Sequence, residues 1–309
     1  MTVTAAPYHA DVSIDVPRAE PVWIEAADGL RLRAVTCPEG PRGTVLLFQG
    51  RTEYLEKQSA IAYELGLRGY ATAAIDWRGQ GLSPRPSRDP RLGHVRDFGE
   101  FQHDVDALLS HCAACDMPRP WHLLAHSMGG LIGLRALHRR SEFARAVFSA
   151  PMWGLPLPPH RRLAGWVASA LASGTGFGER LTPGAGSVAD PAAMPFDGNL
   201  LTTDPEMFAW MKRQITLYPE LALGGPSFGW VWAALREMHV MARASAPNVP
   251  CLVLLGTEER VVSPDAIHVR MGSWANGSLE TVEGAQHEVL MEGPRTRARL
   301  YDRIAAHLG

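Results

Sequence analysis

The chain has 309 residues, 46% of them hydrophobic, and a formal net charge of −2. That length permits two domains and that apolar share permits a large buried sheet, whereas so small a charge gives nucleic acid or an acidic membrane surface no electrostatic footing. Residues 1–21 hold no apolar segment behind a basic start, so no secretory signal is expected, and no apolar run is long enough to predict a spanning helix.

In chain order, residues 1–20 read as a loose N-terminal arm. Strand-like residues 22–25 and 30–35 flank Asp28-Gly29, a hairpin signal. Residues 45–48 form an apolar strand, followed by the loop Gln49-Gly50-Arg51-Thr52 and a helix over roughly 53–68. Residues 71–75 are the next strand, and a loop rich in Gly and Pro runs to Asp97. A helix over 100–116 contains Cys112 and Cys115. This C-x-x-C has no second ligand pair and no thioredoxin-like setting, so neither zinc nor a redox disulfide is expected. With Cys37 and Cys251, the thiols read as reduced and the protein as cytoplasmic.

The segment Trp121 to Gly130, WHLLAHSMGG, carries the most chemistry. An apolar strand stops at His126-Ser127 and a helix-forming stretch over 131–140 follows at once. A serine on so sharp a strand-to-helix turn is a nucleophile elbow, and the closeness of strand and helix demands small residues two before and two after it. Here they are Ala125 and Gly129; the elbow commonly has glycine first, so Ala125 is a departure of one methyl group. Another strand spans 144–150.

Strands alternating with helices predict a mostly parallel, doubly wound sheet. The alternation breaks over residues 151–246, a stretch rich in Pro, Gly, Trp, Phe and Met that is too long for an ordinary connection. It reads as an inserted, largely helical cap between two halves of a core, 21–150 and 247–309. Helix candidates within it are 163–172, 207–218 and 230–241; Trp166, Met211 and Trp232 on them either line an acyl pocket or pack on the core.

A buried strand over 250–256 runs into Glu258 and Glu259, with Asp265 further on. A strand over 279–282 leads to His287. A carboxylate past one strand and a histidine past the next can both reach a serine at the same sheet edge, in the order serine, acid, histidine. Serine needs histidine as base, and the histidine needs a carboxylate to fix its tautomer. Twelve histidines make chance placement easy, so the position of His287 after the last strand is what selects it. The oxyanion hole is expected from the backbone N–H groups of Met128, directly after the nucleophile, and Arg51, in the loop after an early strand.

Four stretches then carry a resemblance: QGRTE from Gln49, IDWRGQGLS from Ile75, HSMGG from His126, and EERVV from Glu258 together with GAQHE from Gly284. The chain resembles serine α/β-hydrolases of the monoacylglycerol lipase and lysophospholipase group, and within it the bacterial lysophospholipase L2 type. The segment around Asp76 and Arg78 is shared widely among α/β-hydrolases and implies structural roles for both. Relatives often have His-Gly where this chain has Gln49-Gly50, a change that leaves the backbone donor in place. The resemblance implies Glu259 as the triad acid, with glutamate where aspartate is commoner, leaving Glu258 solvated and Asp265 free to cap the next helix, over 266–271.

The resemblance further implies hydrolysis of the carboxylic ester of a lipid-like substrate, a monoacylglycerol or lysophospholipid, through an acyl-enzyme on Ser127, beneath a lid formed by the cap. No cofactor, metal, nucleic acid or transmembrane segment is implied; any peripheral membrane contact would be made by the cap, and oligomeric state is left open. A small-ester esterase, thioesterase or lactonase would use the same residues, and a hydrolase relative that binds without turnover is the reading from another class.

Overall fold

The computed structural model describes residues 4–87, 89–183 and 194–309. Among the described residues, nine strands form one sheet: β1 (Thr4–Ala5), β2 (Glu20–Glu25), β3 (Arg31–Pro41), β4 (Thr44–Phe48), β5 (Tyr70–Ile75), β6 (Trp121–His126), β7 (Phe143–Ser149), β8 (Cys251–Gly256) and β9 (Gly277–Val282), in the spatial order 1-2-3-5-4-6-7-8-9. The first three pair antiparallel, β3 pairs antiparallel with β5, and every pairing from β5 to β9 is parallel.

Strand alternation splits the interior into two cores. Leu46, Phe48, Leu123, Ala125, Phe148 and Val253 face one side, against helices α2 (Phe101–Ala114), α3 (Met128–Arg139) and α7 (Pro264–Gly272). Val45, Leu47, Leu124, Val147, Leu252 and Leu254 face the other, against α1 (Leu55–Gly66) and α8 (Pro294–Leu308). The central strands of a parallel sheet covered on both faces are buried on both sides, which is why Val45–Phe48 of β4 and Cys251–Leu255 of β8 read as continuous apolar runs rather than alternating ones. Between β7 and β8 the chain leaves the sheet for α4 (Pro159–Gly174), α5 (Pro205–Leu217) and α6 (Phe228–Arg243).

Two local expectations change. The residues from Thr4 onward are not a loose arm: β1 adds an edge strand, Val12 is buried, and Tyr8, Val16 and Ala19 pack on the α1 side of the sheet. Ser263, not Asp265, caps α7, its hydroxyl accepting the Ala266 N–H at 3.3 Å; Asp265 lies in the first turn, where its charge still favours the helix dipole.

Candidate active site

The register of the parallel strands sets the site. His126 pairs with Ser149, Ser149 with Leu254, and Gly256 with Val282, so the residues that follow β6, β8 and β9 emerge at one sheet edge. Ser127 sits there at φ 50°, ψ −118°, a left-handed backbone that turns β6 straight into α3. The turn leaves no room for a side chain at Gly129, where a Cβ would lie 2.0 Å from the Phe48 carbonyl oxygen. The extra methyl of Ala125 is absorbed because the helix residue opposite it is Gly133, whose own Cβ would come within 3.2 Å of it.

His287 stands between Ser127 and Glu259. Its Nε2 is 3.0 Å from Ser127 Oγ, and its Nδ1–H donates to Glu259 Oε2 at 2.8 Å. The other oxygen of Glu259 accepts the N–H groups of Val261 and Val262 at 2.6 and 2.9 Å. Burial alone would raise the Glu259 carboxyl; the hydrogen bond and charge of His287 and the two backbone donors outweigh it and hold the group below its ordinary value. Glu258 is exposed and pairs with Arg260 at 2.9 Å. An Nδ1–H tautomer fixed in this way leaves Nε2 free to take the hydroxyl proton.

The Arg51 N–H finds no protein acceptor among the described residues, and that of Met128 lies in the first turn of α3, where helix N–H groups have no partner inside the helix. Around this edge lies a cavity of about 560 Å³, within the range of small-molecule sites. Residues between β7 and β8 supply much of its apolar wall, among them Leu155, Leu201, Phe208, Met211, Ile215 and Trp230. Trp166 and Trp232 do not line it. Their rings meet edge to face with centroids 5.0 Å apart, sealing α4 to α6. Residues two apart on a helix point about 200° apart, so Trp230 faces the cavity while Trp232 faces α4.

A second set of polar groups, which spacing in the sequence did not reveal, lies in the cavity wall beside Ser127. Lys57 Nζ donates to Glu53 and to Glu288, and all three side chains are buried. His126 Nδ1–H donates to the Ser149 carbonyl at 3.0 Å, and its Nε2 is 3.5 Å from Glu288 and 3.9 Å from Glu53. Burial would lower His126, but the carboxylates of Glu288 and Glu53 outweigh it and raise it. Burial would raise Glu288, and the charges of Lys57 and His126 instead hold it well below its ordinary value. Glu53, His126 and Glu288 have the grouping of a metal site, with ligand atoms within 4.8 Å of one another, yet the cation between the two carboxylates is the Lys57 ammonium.

A largely parallel sheet with helices on both faces and a serine at left-handed φ between strand and helix defines the α/β-hydrolase fold. The chain belongs to the Hydrolase_4 family, described as serine aminopeptidase, S33, whose model matches residues 39–294. It is 32% identical over 270 residues to lysophospholipase L2 of Escherichia coli strain K12, covering 82% of this chain and 76% of that one. Monoacylglycerol lipase of Mycolicibacterium smegmatis is 28% identical over 257 residues, 82% and 83% of the two chains. Among solved structures, a soluble variant of monoglyceride lipase from Saccharomyces cerevisiae, in complex with a substrate analog, matches with a TM-score of 0.72 at 22% identity, covering 98% of each chain.

Proposed function

We propose that this enzyme hydrolyses the carboxylic ester of a single-chain lipid, a monoacylglycerol or lysophospholipid, through an acyl-enzyme on Ser127. The observation that carries this reading is the Ser127–His287–Glu259 hydrogen-bonded chain opening into an apolar cavity. His287 takes the serine proton as Oγ attacks the carbonyl carbon. The N–H groups of Met128 and Arg51 hold the oxyanion, and the histidine then protonates the leaving alcohol. Water, activated by the same histidine, releases the fatty acid and frees the serine.

Residues 151–246 act as the cap over a core of 21–150 and 247–309, with the described residues 4–20 of the N-terminal arm packed on that core. Leu163, Val167 and Leu171 lie at four-residue spacing on one exposed face of α4, with exposed Arg161 and Arg162 beside them. This face is where the cap meets a lipid surface. Among the described residues no helix is long and apolar enough to cross a membrane. Four free cysteines support a reducing, cytoplasmic setting.

The family description favours a second reading, cleavage of a peptide from its amino end. Such a substrate brings an ammonium that needs a carboxylate. Among the described residues, the carboxylates lining the cavity are Glu53 and Glu288, and both are bonded to Lys57. The wall that remains suits an acyl chain better.

The test is a chain-length series of p-nitrophenyl esters beside monoacylglycerols, lysophospholipids and aminoacyl p-nitroanilides, for wild type and Ser127→Ala. Long-chain esters should be preferred, and Ser127→Ala should lose at least roughly a thousandfold in turnover with its fold intact. Turnover of the anilides alone, or a Ser127→Ala enzyme within tenfold of wild type, would sink the reading.

A further inference from the structure

We infer that Lys57 is a positioning residue of this site, tying the oxyanion loop to the histidine loop through Glu53 and Glu288. The inference rests on the reading of Ser127, His287 and Arg51 given above.

Each reacting segment contributes a chain neighbour to the buried cluster. Glu288 follows His287, and His126 precedes Ser127. Glu53 reaches back along the oxyanion loop: its Oε2 accepts the N–H of Gly50 at 2.6 Å, the residue before Arg51. That loop presses on the nucleophile, for a Cβ at Gly50 would lie 3.1 Å from His126 and 3.2 Å from Ser127. Lys57, on the first turn of α1, is the group that bonds both carboxylates. One ammonium therefore spans two loops whose separation in sequence is more than two hundred residues, 231 from Lys57 to Glu288.

A buried ion pair stabilises a fold no better than apolar packing of the same volume. What it adds is direction, since charged hydrogen bonds fix angles that methyl groups do not. The second consequence is electrostatic. His287 faces Glu259 from the β8 loop, Ser127 and the His126 ring from the end of β6, with ring centroids 4.7 Å apart. Glu288 is its own chain neighbour, and Glu53 and Lys57 lie behind His126 and Glu288. Lys57 cancels carboxylate charge that would otherwise act on the histidine.

The experiment measures kcat, KM and the acid limb of kcat/KM on p-nitrophenyl butyrate for wild type, Lys57→Met, Lys57→Arg and Glu288→Gln, with thermal melts alongside. Misplacing reacting groups by about an ångström lowers rate on the order of a hundredfold, so Lys57→Met should lose about that in kcat with KM within threefold. Its unbalanced carboxylates should move the acid limb to higher pH. Glu288→Gln should also lower kcat at constant KM, but move the limb to lower pH, because it removes negative charge. Lys57→Arg should recover at least tenfold of the loss. If Lys57→Met does not fold, Glu288→Gln and Lys57→Arg decide the matter. A lowered melting temperature with kcat within threefold of wild type, or unmoved acid limbs in the folded variants, would leave Lys57 a structural residue and overturn the inference. Wild-type turnover that survives Ser127→Ala would remove the reading of the site itself, and this role with it.

Discussion

Glu259 grips His287 with one carboxylate oxygen and its own loop with the other: Oε2 lies 2.8 Å from His287 Nδ1, while Oε1 takes the N–H groups of Val261 and Val262. The glutamate is therefore held at both oxygens, and its extra methylene relative to aspartate is taken up without loosening the histidine. Glu259→Gln should lose roughly two to four orders of magnitude in kcat, because an amide nitrogen facing Nδ1 stabilises the wrong tautomer. Glu258→Gln, at an exposed position, should stay within about threefold of wild type. Steady-state kinetics on one soluble ester separates them, and a near-normal Glu259→Gln enzyme would refute the assignment.

The shifted groups predict opposite pH limbs in stability. Glu259 and Glu288 both titrate below their ordinary values in the folded protein. Their contribution is present above the unfolded glutamate value of about 4.3 and is lost as pH falls through the lower folded values. His126 is raised, so its contribution is full below about 6.5 and is lost as pH climbs through the higher folded value. Melting temperatures from pH 3 to 9 should decline at both ends. Glu288→Gln should flatten the acid side and His126→Gln the alkaline side. If each variant only offsets the wild-type curve in parallel, the cluster does not titrate in this way.

Chain-length preference should answer to the cavity wall. Met211 lines it and is itself buried, so Met211→Trp should shorten the space for an acyl chain. The ratio of kcat/KM for a long over a short ester should fall by at least roughly tenfold, the scale on which a misfit methylene is rejected. Trp166→Ser and Trp232→Ser should lower stability by opening the seam between α4 and α6 while leaving that ratio within about threefold. A ratio that moves with the tryptophans and not with Met211 would place the acyl chain elsewhere.

The parts legible in the sequence are those fixed by local geometry. Ser127 needed a strand, a turn and small neighbours, all of which are contiguous, and His287 needed only a position after the last strand. The parallel sheet was legible because strands buried on both faces read as unbroken apolar runs. Helix α8 is legible too, although it is absent from the expectations above: its buried positions Leu300, Tyr301, Ile304 and Leu308 recur at helical spacing, with Arg295, Arg297, Arg299 and Arg303 on the remaining faces. Trp166 and Trp232 were ambiguous because composition marks an aromatic as buried without saying against what. The Lys57 cluster was hidden for a different reason. Its members lie in three separate segments, around Glu53 and Lys57, at His126 and at Glu288, and only the closed sheet edge brings them together.

Asp76, read from the sequence as structural, is held in a fully buried charge set with Arg33 and Glu56. Arg33 Nε donates to Asp76 at 2.7 Å, and its two terminal nitrogens donate to Glu56 at 2.7 and 2.8 Å. Asp76 also accepts the N–H of Leu55 at the start of α1 and that of Leu82, each at 2.9 Å. It thus fastens the helix carrying Lys57 to the loop after β5, without touching the cavity. Arg33→Met strands two carboxylates in the interior, and removing one partner of such a set costs on the order of 3–5 kcal/mol. Part of that loss should return in Arg33→Met with Glu56→Leu, which replaces charge by apolar volume. Full recovery should not follow, because Asp76 remains uncompensated while its backbone donors still require it. Urea unfolding should show a lower midpoint with an unchanged slope in the single variant. Activity per folded molecule should stay within about threefold. A single variant within about 1 kcal/mol of wild type would mean that water or local relaxation satisfies the stranded carboxylates, and that the charge set does not fix this end of the sheet.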